Sequence, residues 1–324
     1  MSILVTGATG TVASHIVQRL ASSNVEVSAL VRTPGKVPLP SGVTEVVGDM
    51  TSVSAMRAAL SSVQTLFLLN AVTPDEVTQA LIALNLARDA GVERIVYLSV
   101  IHADRYTNVP HFTSKYAVER MIESLDLPAT ILRPAYFMQN DARIRSVVEG
   151  HGVYPMPIGR AGVSMVDVRD IADVAVVELL ARHRAPDVLP GRTLDVVGPE
   201  SLTGESAARV WSDALQREIR HGGDDLDGFE QRMSTSAPDW LAYDMRLMMA
   251  GIQQHGMRSS DGAVARLEGM LGRPLRRYRD VVREVLEGSD QRSPHVGRMS
   301  STDRRPRDAV DRQAGSTRLS SASS

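Results

Sequence analysis

A short glycine loop directly after the first apolar run constrains the fold of this 324-residue chain more than any other feature. The run 3–5 stops at Gly7, and Val12, Ile16 and Leu20 then recur at the four-residue spacing of one helix face. A strand that turns through glycine into a helix presents backbone N–H groups and the positive end of the helix dipole to an anion. The pattern predicts the phosphate-binding turn of a dinucleotide-binding fold.

The loop itself is predicted to cradle the diphosphate of NAD(P). Gly7 permits a tight turn, Gly10 removes a side chain that would hold the phosphates away, and Ala13 is small enough for close helix–strand packing. The residues expected at the phosphates are Gly7, Ala8, Thr9, Gly10, Thr11 and Val12. A tight glycine turn without a ligand is the alternative interpretation.

Short apolar runs alternate with helical patterns through the first two-thirds of the chain. Helices are predicted at 52–60, 74–90 and 113–125, and further strands at 25–31, 43–47, 65–69, 94–99 and 129–132. Fully apolar strands separated by helices are typical of a parallel sheet that is covered on both faces. We therefore expect an α/β fold with a doubly wound parallel sheet of the Rossmann type.

The pattern loosens after about Pro134, and three parts are predicted. Residues 1–150 form the NAD(P)-binding Rossmann domain, with the sheet completed by parts of 160–200. Residues 151–288 have helical periodicity and form a smaller, mainly helical lobe. Residues 289–324 are rich in Ser, Arg and Asp and almost lack large apolar side chains, so they are expected to be a disordered tail.

Composition excludes several classes of function. The chain has no cysteine, which removes disulfides, thiolate nucleophiles and Cys-ligated metals. The net charge of −2 gives no reason to expect nucleic acid or a membrane as partner. Signal-peptide features and apolar runs of about 20 residues are both missing, so we expect a cytoplasmic protein. Asp167 and Asp170 fit a helix start, and no metal site is expected.

The end of the second strand predicts NADP rather than NAD. NAD-binding folds usually place an acidic residue there for the ribose hydroxyl, whereas a 2′-phosphate requires a cation. Here the strand ends in Arg32, Lys36 follows in the loop, and no acid is present between them. The guanidinium fork and the ammonium group both suit a phosphate. A solvated turn is the alternative.

Several further motifs resemble those of the NmrA-like atypical short-chain dehydrogenases. They are 6–10 (TGATG), Gly48-Asp49, 111–115 (HFTSK), 130–134 (TILRP), 137–140 (FMQN), 166–172 (VDVRDIA), 272–275 (GRPL) and 281–284 (VVRE). The resemblance covers about residues 2–287. It implies a Rossmann domain that binds NAD(P). Members of the family include reductases of quinones, dyes or similar acceptors, and also cofactor-sensing regulators.

The resemblance also implies that a further set of side chains contacts the cofactor. These are Asp49 and Met50 at the adenine, Asn70 after the fourth strand, Lys115 at the nicotinamide ribose, and Tyr136, Phe137 and Met138 beside the nicotinamide.

The catalytic position departs from the usual Tyr-x-x-x-Lys motif of short-chain dehydrogenases. His111 stands where the Tyr would be, four residues before Lys115. His111 could donate the proton, the acceptor could instead draw its proton from water, or Lys115 could grip the ribose without any turnover. A local hydrogen bond at the helix start is the alternative for His111. Ser99, at the end of the fifth strand, either polarises a carbonyl or makes a plain strand-end hydrogen bond.

These observations predict an NAD(P)H-dependent reductase that transfers hydride to a small apolar carbonyl, quinone or related acceptor. The alternative is an NADP(H)-sensing regulatory protein without turnover that acts through a protein partner. A relationship to sugar-nucleotide epimerases is a weaker third hypothesis because the Tyr is missing. Methionines 245, 248 and 249, beside Trp240 and Tyr243, either line a pocket for a flat substrate or pack within the lobe.

Overall fold

A seven-stranded parallel sheet forms the centre of the computed structural model, which describes residues 2–288. Its strands are β1 (Ser2–Val5), β2 (Glu26–Val31), β3 (Val43–Val47), β4 (Val63–Leu68), β5 (Arg94–Leu98), β6 (Ala129–Pro134) and β8 (Arg192–Val196). The strand order is β3-β2-β1-β4-β5-β6-β8, and every neighbouring pair is parallel. The predicted doubly wound parallel sheet is confirmed. Its order reverses between β1 and β4, where such sheets form a ligand crevice.

Helices cover both faces of the sheet because the strands are apolar on both sides. Helices α1 (Ala13–Ala21) and α6 (Val168–Arg184) share one core with Ile3 and Val5. The opposite core contains Leu4 and side chains of α2 (Val53–Leu60), α3 (Glu76–Asp89) and α4 (Pro110–Ser124). Side chains along β1 point alternately to the two faces of the sheet. Because both faces are covered, residues 3–5 of the strand are all apolar.

The remaining elements confirm a mainly helical C-terminal region. They are a 3-10 helix (Met138–Ile144), α5 (Arg145–His151), β7 (Val153–Tyr154), α7 (Gly204–Leu215), β9 (Arg220–His221), α8 (Leu226–Ser234), α9 (Asp239–His255), α10 (Ala263–Leu271) and α11 (Tyr278–Glu287). The parallel pair β7–β9 was not predicted, since two-residue strands carry no periodicity. Trp211 and Ile252, in the C-terminal region, belong to the same core as the α1 side chains. The predicted domain boundaries stay a prediction.

The start of α4 differs from the sequence prediction in a way that matters for the site. The predicted helix 113–125 begins at Pro110, so His111 lies within its first turn. Proline is favoured at the first helical position because its missing N–H would have no partner there. The tail predicted at 289–324 lies outside the described residues. Within residues 2–288, no helix combines the length and the apolar character that crossing a membrane requires.

Candidate functional site

The turn after β1 is joined to the end of β4 by a pair of hydrogen bonds. The Thr6 hydroxyl donates to the Leu69 carbonyl at 2.9 Å and accepts from the Leu69 N–H at 2.8 Å. Gly7 follows with φ of 60°, and a Cβ at this position would lie 3.0 Å from the Leu69 carbonyl oxygen. The left-handed backbone and the close approach together require glycine. The turn therefore lies at the reversal point of the sheet.

The N-terminus of α1 is open toward this turn. The Gly10 N–H donates to the Gly7 carbonyl at 2.8 Å, and a Cβ at Gly10 would lie 3.1 Å from the same oxygen. Val12 precedes the helix and no side chain caps it. Ala8 and Val12 are buried, whereas Thr9, Gly10 and Thr11 are half-buried. Because the first N–H groups of a helix have no acceptor within it, this end suits the phosphates of a dinucleotide.

Arg32 and Asp49 lie close together at the carboxyl ends of β2 and β3. Thr51 donates two hydrogen bonds to Asp49 that lower the pKa of its carboxyl group, and the positive charge of Arg32 adds to this effect. Arg32, Lys36 and Asp49 are all exposed. The chain has two lysines, Lys36 and Lys115, and its other basic side chains are arginines and histidines.

Asn70 extends the site along the crevice from the end of β4. Its Nδ2 lies 3.8 Å from Met50 Sδ and 3.5 Å from the Glu76 carbonyl. Asn70 is 6% exposed, and its Oδ1 has no hydrogen-bond partner in the part of the chain that the structure describes. A buried acceptor without a donor costs about 1–3 kcal/mol. The hydroxyl groups of a ribose would supply such donors, so these residues fit a nucleotide.

Lys115 and Glu76 form a buried ion pair beside Asn70. The distance from Lys115 Nζ to Glu76 Oε2 is 3.9 Å, and both residues are buried. Burial raises the pKa of Glu76 to about 7, against the opposing effect of the Lys115 charge. Within residues 2–288 neither carboxylate oxygen has a hydrogen-bond partner of good geometry, and the nearby Ser114 hydroxyl only partly opposes the rise in the Glu76 pKa. The narrow crevice is also lined by Ala80, Tyr97, Ser114 and Val118.

His111 is held by a carboxylate that the sequence analysis did not identify. The His111 backbone N–H donates to Asp244 Oδ1 at 3.0 Å, and the His111 Nδ1 is hydrogen-bonded to Asp244 Oδ2. Asp244 is fully buried on α9, 133 residues further along the chain. It stands in an ordinary helical pattern, and no local motif could have revealed it. Its pairing with His111 depends on how α9 packs against α4.

Ser99 makes a strand-end hydrogen bond. Its hydroxyl donates to Glu119 Oε1 at 2.5 Å, and the buried Glu119 carboxylate also accepts two hydrogen bonds from Arg133. The strength of the Arg133 interaction with Glu119 raises the pKa of Arg133. This arrangement is the second of the two alternatives considered for Ser99, and a catalytic role for it stays a prediction.

The three residues after β6 differ in how much surface they present. Tyr136 and Met138 are buried in the core, at 7% and 1% exposure, whereas Phe137 is half-buried. Burial raises the pKa of Tyr136 well above its usual value. The Phe137 backbone pairs with Val166. Phe137 is therefore the residue of the three with most surface left for a planar ring.

The acidic residues at the start of α6 bind arginines. Asp167 caps the helix by accepting from the Arg169 N–H at 2.7 Å, as predicted. Asp170 pairs with Arg273 at 2.7 Å and also with Arg276. Within the described residues there is no cluster of three side chains that could hold a metal ion.

The aromatic and methionine residues of α9 differ in how deeply they are buried. Met248 and Met249 are buried in the core, which is the packing alternative considered for them. Trp240 and Tyr243 are 38% and 51% exposed. Whether the exposed pair contacts a substrate stays a prediction.

Comparison with known proteins identifies a family whose members resemble this chain. The model of the NmrA-like family matches residues 1–257. An NAD(P)H azoreductase from Xenophilus azovorans is 30% identical over 253 residues, which cover 76% of this chain and 86% of that protein. A (4-alkanoyl-5-oxo-2,5-dihydrofuran-3-yl)methyl phosphate reductase from Streptomyces griseus is 30% identical over 289 residues, covering 88% and 98% of the two chains.

The fold is also found among solved structures. An NADPH-dependent quinone oxidoreductase from Escherichia coli, crystallised with NADPH, superposes with a TM-score of 0.76 at 22% identity. The match covers 88% of this chain and 99% of that one. At this identity the likeness shows the fold alone.

Proposed function

Because the chain belongs to the NmrA-like family, we propose that it is an NADPH-dependent reductase of a small quinone, carbonyl or related acceptor. The family match confirms the resemblance that the sequence motifs predicted. The names of the azoreductase and phosphate reductase relatives support a reductase over the other activities considered. The proposed contacts follow strands on both sides of the sheet reversal, which supports a dinucleotide rather than a mononucleotide.

The observation that carries the proposal is an uncapped helix start at one end of the crevice and buried acceptor atoms without good partners at the other. At one end, the amides before α1 have no side-chain cap. At the other, Asn70 Oδ1 has no hydrogen-bond partner within residues 2–288, and the Glu76 oxygens have none of good geometry there. The first end suits phosphates and the second suits ribose hydroxyls.

The roles of individual residues follow from these positions. Lys115 Nζ, held beside Glu76, donates to the nicotinamide ribose, and Phe137 packs against the nicotinamide ring. Arg32 and Lys36 bind the 2′-phosphate, which selects NADPH over NADH. When bound, NADPH supplies the hydride. The partner of the protein is then a small-molecule acceptor, and the cytoplasm is the compartment where we expect the reaction.

Two measurements on the purified protein test the proposal. Calorimetry with NADPH, NADP, NADH and NAD measures binding, and loss of NADPH absorbance with quinones, azo dyes and aldehydes measures turnover. We expect tight binding of NADPH and oxidation with at least one class of acceptor. A Lys115→Met variant should lose affinity for NADPH, whereas Lys115→Arg should retain part of it because the positive charge is kept.

The same measurements distinguish the alternatives. Tight NADPH binding without oxidation by any acceptor would favour a cofactor-sensing regulator that acts through a protein partner. No binding of any of the four nucleotides would overturn both hypotheses.

A further inference from the structure

We propose that Asp244 is a positioning residue for His111, and that His111 thereby delivers a proton to the acceptor as it is reduced. The inference rests on the proposed reductase function and adds to it a proton donor that is assembled from two distant parts of the chain. His111 belongs to the first turn of α4, one turn before the crevice residue Lys115, and Asp244 belongs to α9 in the C-terminal region.

The two hydrogen bonds from His111 fix the orientation of the imidazole ring. One Asp244 oxygen accepts from the His111 backbone N–H at 3.0 Å, and the other is bonded to Nδ1 of the same residue. A carboxylate that binds the backbone and the ring of one residue leaves the side chain little freedom. The ring also packs edge-on against Phe112, with centroids 4.7 Å apart. Nδ1 is thereby assigned to the carboxylate, and Nε2 is the nitrogen left for an acceptor.

Asp244 depends on His111 for its hydrogen bonds. Asp244 has no exposed surface, and a buried carboxylate is costly unless a donor or a cation accompanies it. Within the described residues, its hydrogen-bond partners are the two groups of His111. Glu76 of α3 is close enough for repulsion by Asp244 to add to the effect of burial on the Glu76 pKa. Lys115, one turn after His111 on α4, pairs with Glu76 rather than with Asp244.

The chemistry of the acceptor decides whether this proton is needed. A quinone or carbonyl that gains hydride gains two electrons, and its oxygen becomes an anion. That oxygen takes the proton from Nε2, the N–H bond breaks, and neutral His111 regains a proton from water. The Asp244 carboxylate stabilises the ring while it is charged and holds Nε2 in place, without itself taking the proton. A cationic triarylmethyl dye differs, because hydride addition to its central carbon gives a neutral product and no proton is required.

This difference provides the test. Menadione and malachite green are compared as acceptors for the wild-type enzyme, Asp244→Asn, His111→Gln and the double variant. We expect Asp244→Asn to slow menadione reduction about tenfold or more, and to slow it several times further than malachite green reduction. In the His111→Gln background, Asp244→Asn should add little further loss, since two residues that act as one unit are not additive.

A matched control and a measurement without turnover complete the experiment. Asp239→Asn makes the same chemical change on the same helix at an exposed position, and it should leave both rates close to wild type. In proton NMR of the cofactor-free protein, the His111 Nδ1 proton bonded to a carboxylate should appear far downfield of the amides. That resonance should be absent from Asp244→Asn, while calorimetry shows NADPH affinity to be retained.

The possible results separate this inference from the function on which it rests. Equal slowing of both acceptors by Asp244→Asn, or additive losses in the double variant, would show that Asp244 is merely structural. If the wild-type enzyme reduces menadione but not malachite green, the test is whether the losses of menadione reduction in the two single variants add up in the double variant. If Asp244→Asn does not fold, the His111→Gln variant provides the test. Its menadione reduction should then be slowed more than its malachite green reduction. If no acceptor oxidises NADPH, the reductase proposal fails, and the proton-donor role fails with it.

Discussion

Glu76 and Lys115 bring opposite charges to within 3.9 Å of each other in a crevice where both side chains are buried. The separation exceeds a hydrogen bond, and among residues 2–288 the nearby Ser114 hydroxyl makes no hydrogen bond of good geometry to the Glu76 oxygens. Attraction by Lys115 therefore offsets only part of the cost of burial, and the pKa of Glu76 stays raised, at about 7. Because burial and the Lys115 charge act in opposite directions, the protonation of Glu76 responds to pH and to a bound ligand.

We predict that Glu76 makes the cofactor-free protein lose stability as pH rises. A carboxyl group with a raised pKa keeps its proton in the folded state after the unfolded chain has released it. Its contribution is fully present below the unfolded pKa of 4.5 and is lost as pH rises toward 7. Relative to Glu76→Gln, the wild-type free energy of unfolding should fall by up to about 3 kcal/mol over this range.

Urea unfolding of both proteins from pH of about 4.5 to about 8 measures this difference. Glu93→Gln, at an exposed position, is the matched control and should show no such trend. A difference between wild type and Glu76→Gln that does not vary with pH would contradict the prediction.

Replacement of Gly7 by alanine should impair both folding and cofactor binding. The new Cβ meets the Leu69 carbonyl at 3.0 Å and the backbone is left-handed, so we expect a loss of about 2–3 kcal/mol in the free energy of unfolding. The affinity for NADPH should fall about tenfold or more because the phosphate turn must move.

Gly91→Ala is the control for this substitution. Gly91 has φ of 73°, but nothing lies within 4 Å of its added Cβ, so backbone strain acts there without a clash. Its cost should be about 1 kcal/mol, with unchanged affinity for NADPH. Equal effects of the two substitutions on binding, measured by calorimetry, would remove Gly7 from the cofactor site.

Charge reversal at Arg32 should change the choice between NADPH and NADH. A hydrogen bond to a charged partner contributes about 1.5–3 kcal/mol, so Arg32→Asp should weaken NADPH about tenfold to a hundredfold more than NADH. Dissociation constants for both nucleotides, measured at one ionic strength, give this ratio. Arg209→Asp, at an exposed position on α7, keeps the net charge change and should leave the ratio as it is. An equal loss of affinity for NADPH and NADH would show that Arg32 does not bind the 2′-phosphate.

Removal of one hydroxyl from the C-terminal core should destabilise the protein more than its size suggests. The Tyr278 hydroxyl donates to Asp141 at 2.5 Å and accepts from the Trp211 N–H at 2.9 Å. Tyr278→Phe leaves the buried Trp211 N–H without an acceptor and Asp141 with one donor fewer. We expect a loss of about 2–4 kcal/mol.

Tyr154→Phe and Tyr243→Phe calibrate this loss in the same denaturation experiment. Tyr154 makes one hydrogen bond to Asp141, at 2.8 Å, and its variant should lie between wild type and Tyr278→Phe. Tyr243 is 51% exposed, and its variant should change stability by less than about 0.5 kcal/mol. A cost for Tyr278→Phe no larger than that of Tyr243→Phe would show that the network contributes nothing.

Local patterns were sufficient where a structure depends on neighbours in sequence. The Gly7 and Gly10 turn, the apolar strand β1 and the Asp167 cap each depend on residues within a few positions, and each was predicted in place. The helical period predicts that α4 starts at residue 113, three residues after its true start at Pro110, because the first turn depends on the proline and not on that period. The short β7–β9 pair had no period to detect.

What the amino-acid sequence determined by itself is the sheet, the glycine turn after β1 and the family, since these are encoded by short-range periodicity and by motifs of a few residues. Only the tertiary structure decided which groups meet across the crevice. His111 meets Asp244 and Lys115 meets Glu76 because separate helices pack against one another. Sequence spacing carries no information about such contacts, since burial and the resulting electrostatic partners arise only after the chain has folded.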